Sequence, residues 1–158
     1  MTEKVCSSTR YYQKQRRVNS DMDLFQLKLC DIQGRLFENS TAYASESFIK
    51  KFMLSEMAGH IDSPYNKYQW MGEEYLLEEL ADEEEIETEG ERYDKDVLYW
   101  IGYIYRYWAC MRNEKSRKIY RIASARTMKR NYLMFHTLDP ELAIDDLIEI
   151  HNQRTRKS

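Results

Sequence analysis

Three histidines (His60, His136, His151) and three cysteines (Cys6, Cys30, Cys110) are the side chains best suited to nucleophilic or metal chemistry in this chain. Their spacing argues against both. No His-Glu-x-x-His or Cys-x-x-Cys pattern gathers donors for a metal ion. Cys110 falls in an aromatic segment and reads as a small buried hydrophobe, and Cys30 as core or boundary. Pairing either with His136 would need a proximity in the fold that no motif supports. His60 and His136 fall at a helix end and a turn, while His151 lies near a helix C-terminus, where a protonated imidazole is favoured. Neither a G-x-x-x-x-G-K nor a G-x-G-x-x-G phosphate cradle occurs. No catalytic residue, metal ligand or cofactor follows from these residues, and the expectation is a chain that is not an enzyme.

Charge is the next chemical signal. Residues 73–91 carry eleven acidic side chains and no Lys or Arg, whereas residues 106–130 carry nine basic side chains against the single acid Glu114. The acids form one solvated run, which lacks the two contrasting environments that acid–base catalysis requires. Acidic and basic regions either neutralise each other or face different partners. Arg112, Lys115, Arg117, Lys118, Arg121, Arg126, Lys129 and Arg130 make a local positive field that suits RNA or DNA, with Tyr120 and Tyr132 available for stacking if exposed. Protein binding accounts for more features at once. The acidic segment with Tyr75 at its root, the basic patch and the spare aromatics supply both steering and anchors, and Tyr, Trp and Arg concentrate interface energy.

The elements that must position these groups are helical. Met22, Phe25, Leu29, Ile32 and Leu36 recur at steps of three and four, with Leu24 and Leu27 widening the stripe and Asp21 as cap. Gly34 there marks either fraying or a close contact. Ser45 is expected to cap a second helix that directs Ile49, Phe52, Met53 and Met57 inward and ends at Gly59. Tyr68, Trp70 and Met71 fit a short helix or an aromatic loop equally well. Gly72 opens a third stretch with Tyr75, Leu76, Leu77 and Leu80 on its apolar side. Residues 87–92 read as a linker.

The strongest pattern lies between Asp94 and Asn113, where Val97, Ile101, Ile104, Trp108 and Met111 hold one face and Trp100, Tyr103 and Tyr107 give the other side large rings. A helix apolar nearly all round is central to its domain. Arg106 within it must reach solvent, stack on a ring or find a carboxylate. Ile119, Ile122 and Ala123 mark a further helix, residues 126–135 suit a helix or a short strand, and Asp139-Pro140 starts the last helix. The predicted fold is all-α: a single compact domain of five or six helices around an aromatic-rich helix, with residues 1–20 as a basic flexible arm, 21–152 as the helical domain and 153–158 as a basic tail.

Several classes are set aside. No apolar signal-peptide region is expected at the N-terminus. The longest apolar stretch, residues 97–111, is interrupted by Arg106 and falls short of the ~20 residues that cross a bilayer, so no membrane partner is expected. An odd number of widely spaced cysteines fits a reducing cytoplasm better than a disulfide framework. A homodimer is possible where the aromatic face exceeds what one domain covers.

Phe48-Ile49-Lys50-Lys51-Phe52-Met53-Leu54-Ser55-Glu56-Met57-Ala58, then Tyr99-Trp100-Ile101-Gly102-Tyr103-Ile104-Tyr105-Arg106-Tyr107-Trp108 and Phe135-His136-Thr137-Leu138-Asp139-Pro140-Glu141, resemble a group of small uncharacterised bacterial proteins. These look like the antitoxin-side partners encoded beside ADP-ribosyltransferase-like toxins, and the resemblance spans most of residues 45–150. It carries no catalytic residues. It implies neutralisation by binding, with the helical body covering the cleft or substrate surface of a toxin encoded by a neighbouring gene. On that resemblance Tyr103, Arg106, Tyr107 and His136 are the candidate contacts, with Asp139 a structural cap.

Overall fold

The computed structural model describes residues 22–64 and 66–157. The expected arm, the Asp21 cap, Tyr65 and Ser158 lie outside the described residues. Eight α-helices, one turn of 3-10 helix and no strand are found among the described residues, where five or six helices are expected. In chain order they are α1 (Leu24–Glu38), α2 (Ser45–Met53), α3 (Glu56–Asp62), the 3-10 turn (Lys67–Trp70), α4 (Glu73–Glu83), α5 (Lys95–Arg112), α6 (Ser116–Ile122), α7 (Ala125–Phe135) and α8 (Pro140–Lys157).

Local hydrogen bonding explains the boundaries that differ from expectation. Asp23 caps α1: its carboxylate accepts from Gln26 N at 2.8 Å while the Gln26 side chain accepts from Asp23 N at 3.0 Å, a reciprocal box that satisfies two end donors. Leu24 then faces solvent and does not widen the buried stripe. The second helix splits because the Ser55 hydroxyl accepts from Ala58 N at 3.1 Å and starts α3. Gly59 consequently lies inside α3 and ends nothing. Ser45 does not cap α2; its hydroxyl accepts from Tyr93 N at 2.8 Å, and Ser47 accepts from Glu87 N at 3.0 Å. Together with Ala44 N to Glu87 O and Ser45 N to Glu91 O, both 2.9 Å, these bonds pin the expected linker along the start of α2. Ser124 starts α7 by accepting from Thr127 N, which resolves residues 126–135 as helix. The last helix continues through the expected tail to Lys157. Arg156 reaches back to Glu149 at 2.8 Å, and Arg154, Arg156 and Lys157 occupy the final turn, where cations suit the negative helix end.

The most extensive helix–helix interface joins α1 to α5, and α5 also packs on α6, α7 and α8. Two glycines bring α1 and α5 together. A Cβ on Gly102 would lie 2.5 Å from the Gln33 carbonyl oxygen, and one on Gly34 would lie 2.7 Å from the Tyr99 ring. Gly34 therefore marks a close contact. Gln33 exploits the approach by donating from Nε2 to the Gly102 carbonyl at 3.0 Å. Beside it Phe37 meets Phe48, Phe52 and Tyr105 edge to face, with centroids 5.3, 5.3 and 6.2 Å away, in the favourable range for such pairs. Leu98, Ile101, Tyr105, Tyr107 and Trp108 are all buried in the same apolar core. At its C-terminus α5 stops at Asn113, whose φ of 51° is left-handed, a conformation that Asn tolerates better than most residues.

Candidate protein-binding site

Arg106 finds a carboxylate, and in doing so leaves the surface. Its Nη1 meets Asp62 Oδ1 at 2.7 Å, with the side chains only 1% and 2% exposed. Nε donates to Gln33 Oε1 at 2.8 Å. Asp62, at the end of α3, also accepts from Ser116 N at 2.8 Å and Ser116 Oγ at 2.7 Å. One carboxylate thereby ties α3, α5 and the start of α6 together. Tyr107 is likewise fully buried. The structure thus places both of these candidate contacts in the interior, away from the groove that holds Tyr103 and His136.

Tyr103 and His136, by contrast, line one groove of about 610 Å³ formed by α1, α5, α7 and the start of α8. One wall is formed by Tyr99 and Tyr103 at the four-residue step of α5, with centroids 6.0 Å apart, and the buried Tyr107 continues the row behind them at 6.2 Å from Tyr103. Another part of the lining is an aromatic cluster in which Trp100 meets Tyr132 edge to face at 5.6 Å and Tyr132 stacks on His136 at 4.4 Å. His136 Nδ1 lies 2.8 Å from the Tyr132 carbonyl. A carbonyl only accepts, so Nδ1 carries the proton in that bond and Nε2 is the nitrogen left to face a ligand. On the floor Asp31 accepts from the Tyr99 hydroxyl and pairs with Arg35 at 3.1 Å. Burial, followed by that bond to Asp31, pushes the Tyr99 phenol well up, which keeps it a neutral donor.

Large apolar side chains that do not line the groove are exposed on α7 and α8: Leu133 and Met134 are 80% and 66% exposed, and Leu142 is also exposed. Tyr132 faces the groove from α7, which sets Leu133, the next residue, on the adjoining side of that helix and Met134 on the far side. Rings with polar tips and an imidazole nitrogen, with exposed Leu133 beside them, suit recognition of another surface. Arg106 does not join His136 there; it lines a separate cavity of about 340 Å³ near Cys110 and Trp70. Among the described residues no three His, Cys, Asp or Glu side chains converge as metal donors, and no helix is long and apolar enough to cross a membrane.

The charged regions behave differently from each other. In the basic region Arg112 pairs with Asp145, Lys118 with Glu114, Arg126 with Glu46 and Lys129 with Glu91, while Arg117 donates to the Leu54 carbonyl. Lys115, Arg121 and Arg130 are exposed and carry no ion pair among the described residues. Of the acidic run, Glu91 alone is ion-paired among the described residues. Tyr75 is 43% exposed on α4, its hydroxyl donating to Glu79 at 3.1 Å, and it lies outside the groove.

Of the groove's lining, sequence reasoning named Tyr103 and His136 as protein contacts, Tyr132 as a stacking group for nucleic acid and Trp100 as a ring on the helix, and did not single out Tyr99 or the exposed Leu133 and Met134. The signal was the placement of Leu133 and Met134 off the face defined by Met128 and Phe135, and it is readable only once residues 126–135 are known to be helical. Asp62 was hidden by its Ser-Pro neighbours, which read as a turn. Compared with protein-family models, curated proteins and solved structures, the chain matches none.

Proposed function

We propose that this chain is a non-catalytic protein-binding module of the antitoxin or immunity type, which neutralises a partner protein by direct contact through the α1–α5–α7 groove. The observation that carries the reading is the aromatic groove lined by Tyr99, Trp100, Tyr103, Tyr132 and His136, with exposed Leu133 next to Tyr132 on α7. Exposed apolar groups gathered beside a recess mark contact sites, and buried Tyr and Trp supply interface energy. In this reading α5 organises the fold, since its buried side packs the core and its Tyr99, Trp100 and Tyr103 form the groove walls. The acidic surface of α4 around Tyr75 then steers a basic partner toward the protein, accelerating encounter more than it strengthens the complex. The partner offered by the family resemblance is a toxin encoded by a neighbouring gene. Nucleic-acid binding through residues 112–130 is less favoured, because four of its eight cations are already paired with carboxylates.

Co-expression with the neighbouring gene's product followed by size exclusion tests this. The two chains are expected to co-elute, and Leu133→Asp with Tyr103→Ala is expected to weaken the complex by about 30-fold or more, as loss of a strong anchor does, while helix content by circular dichroism stays unchanged. A complex of undiminished affinity in the double variant contradicts the groove as the contact. No complex, together with a self-associating chain or with RNA retention that falls steeply as salt rises, contradicts the proposed function itself.

A further inference from the structure

The α1–α5 interface has a regular antiparallel register. Phe37 and Gln33 flank Gly102, Gln33 bonds Arg106 one turn along α5, and the next turns place Cys30 with Cys110. The two cysteines therefore face each other across the interface, one turn beyond the Gln33–Arg106 bond on each helix. Access is unequal. Cys30 is wholly buried, whereas Cys110 is partly accessible and lines the cavity of about 340 Å³ that also contains Arg106 and Asn113. That volume exceeds the roughly 30 Å³ that a water molecule occupies in the liquid many times over, so a small peroxide has room to enter.

The geometry points to Cys110 as a hydrogen-peroxide-reactive thiol that Cys30 resolves as a disulfide between α1 and α5. Access assigns the roles: Cys110 meets the cavity, where the peroxide arrives, and Cys30 does not. The neighbouring Cys30 thiol and the Arg106 charge also hold the Cys110 thiol below its ordinary range, while burial holds the Cys30 thiol well above its own. In the first step the Cys110 thiolate attacks one peroxide oxygen, the O–O bond breaks, and the departing hydroxide takes up a proton to leave as water. Sulfur is oxidised by two electrons to the sulfenic acid as the peroxide is reduced. In the second step Cys30 sulfur attacks Cys110 sulfur, the S–S bond forms and the S–O bond breaks. The departing hydroxide leaves as water with the Cys30 proton. Two thiols and one peroxide thus give one disulfide and two waters.

The test treats the reduced full chain with stoichiometric hydrogen peroxide and maps its peptides by mass spectrometry. The expected result is a Cys30–Cys110 linked peptide, loss of two hydrogens from the intact mass, and a Tm that rises because the unfolded chain is now closed into a long loop. With Cys30→Ala, dimedone is expected to label Cys110 as the sulfenic acid. A wild-type chain whose Cys110 accumulates only sulfinic or sulfonic acid, whose disulfides engage Cys6 instead, or whose Cys110 stays reduced while the denatured chain oxidises overturns the proposal. If Cys30→Ala fails to fold, the wild-type map decides alone.

Discussion

Asp62→Ala is expected to lower the stability of the fold by about 3–5 kcal/mol, the cost of leaving a buried charge without its partner. The substitution strands the Arg106 guanidinium at a site where both side chains are almost wholly shielded, and it also removes the acceptor for Ser116 N and Ser116 Oγ. Asp62→Asn keeps the shape and one acceptor and is expected to cost less. Replacing both members of a buried pair by apolar side chains is often nearly neutral, but here Ser116 N would still lack its acceptor. Asp62→Leu with Arg106→Met is therefore expected to recover only part of the loss. Equilibrium urea unfolding measures all four chains. A loss below about 1 kcal/mol for Asp62→Ala would match a solvent-screened surface pair and would refute the buried arrangement. It follows that an Arg106 variant defective in binding reports on folding rather than on a contact.

Phe37→Ala is expected to cost about 3–5 kcal/mol, the range for removing a large aromatic from a packed core. The ring is fully buried, it sits where a Gly102 side chain would have to go, and it joins Phe48 and Phe52 of α2 to Tyr105 of α5. A cavity at that point loosens three helices together. Phe25, also on α1, provides the comparison, because it is only partly buried and meets the exposed Trp70 in a tilted pair at 4.8 Å. Phe25→Ala is expected to cost distinctly less by the same urea measurement. Equal losses at the two positions would mean that the α1–α5 interface does not hold the core together.

Much of this architecture is legible in the sequence, where the pattern is periodic. The three-and-four spacing from Met22 to Leu36 and from Val97 to Met111 locates α1 and α5 and most of their buried residues, and Asp139-Pro140 locates the start of α8. What periodicity cannot show is where a polar side chain goes across more than forty residues of chain. Ser45 resembles a cap in sequence, yet its hydroxyl is used by Tyr93 N, and Asp62 resembles a turn residue, yet it neutralises Arg106. Arg106 itself posed the right question, since a guanidinium among rings needs a partner, but the identity of that partner is tertiary information. The groove was half visible for the same reason: Tyr103 and His136 belong to segments that stand out, whereas the rest of the lining depends on how α7 packs over Trp100.

The measurement that tests the central claim most directly is amide hydrogen exchange on the free chain and on its complex with the neighbouring gene's product. Slowed exchange on binding is expected to concentrate in residues 96–104 and 132–142, the segments that carry the Tyr99–Tyr103 pair, the Trp100–Tyr132–His136 cluster and the exposed Leu133. Protection confined to the acidic residues 73–91 or to the basic residues 112–130, with the groove segments exchanging as they do in the free chain, would contradict it.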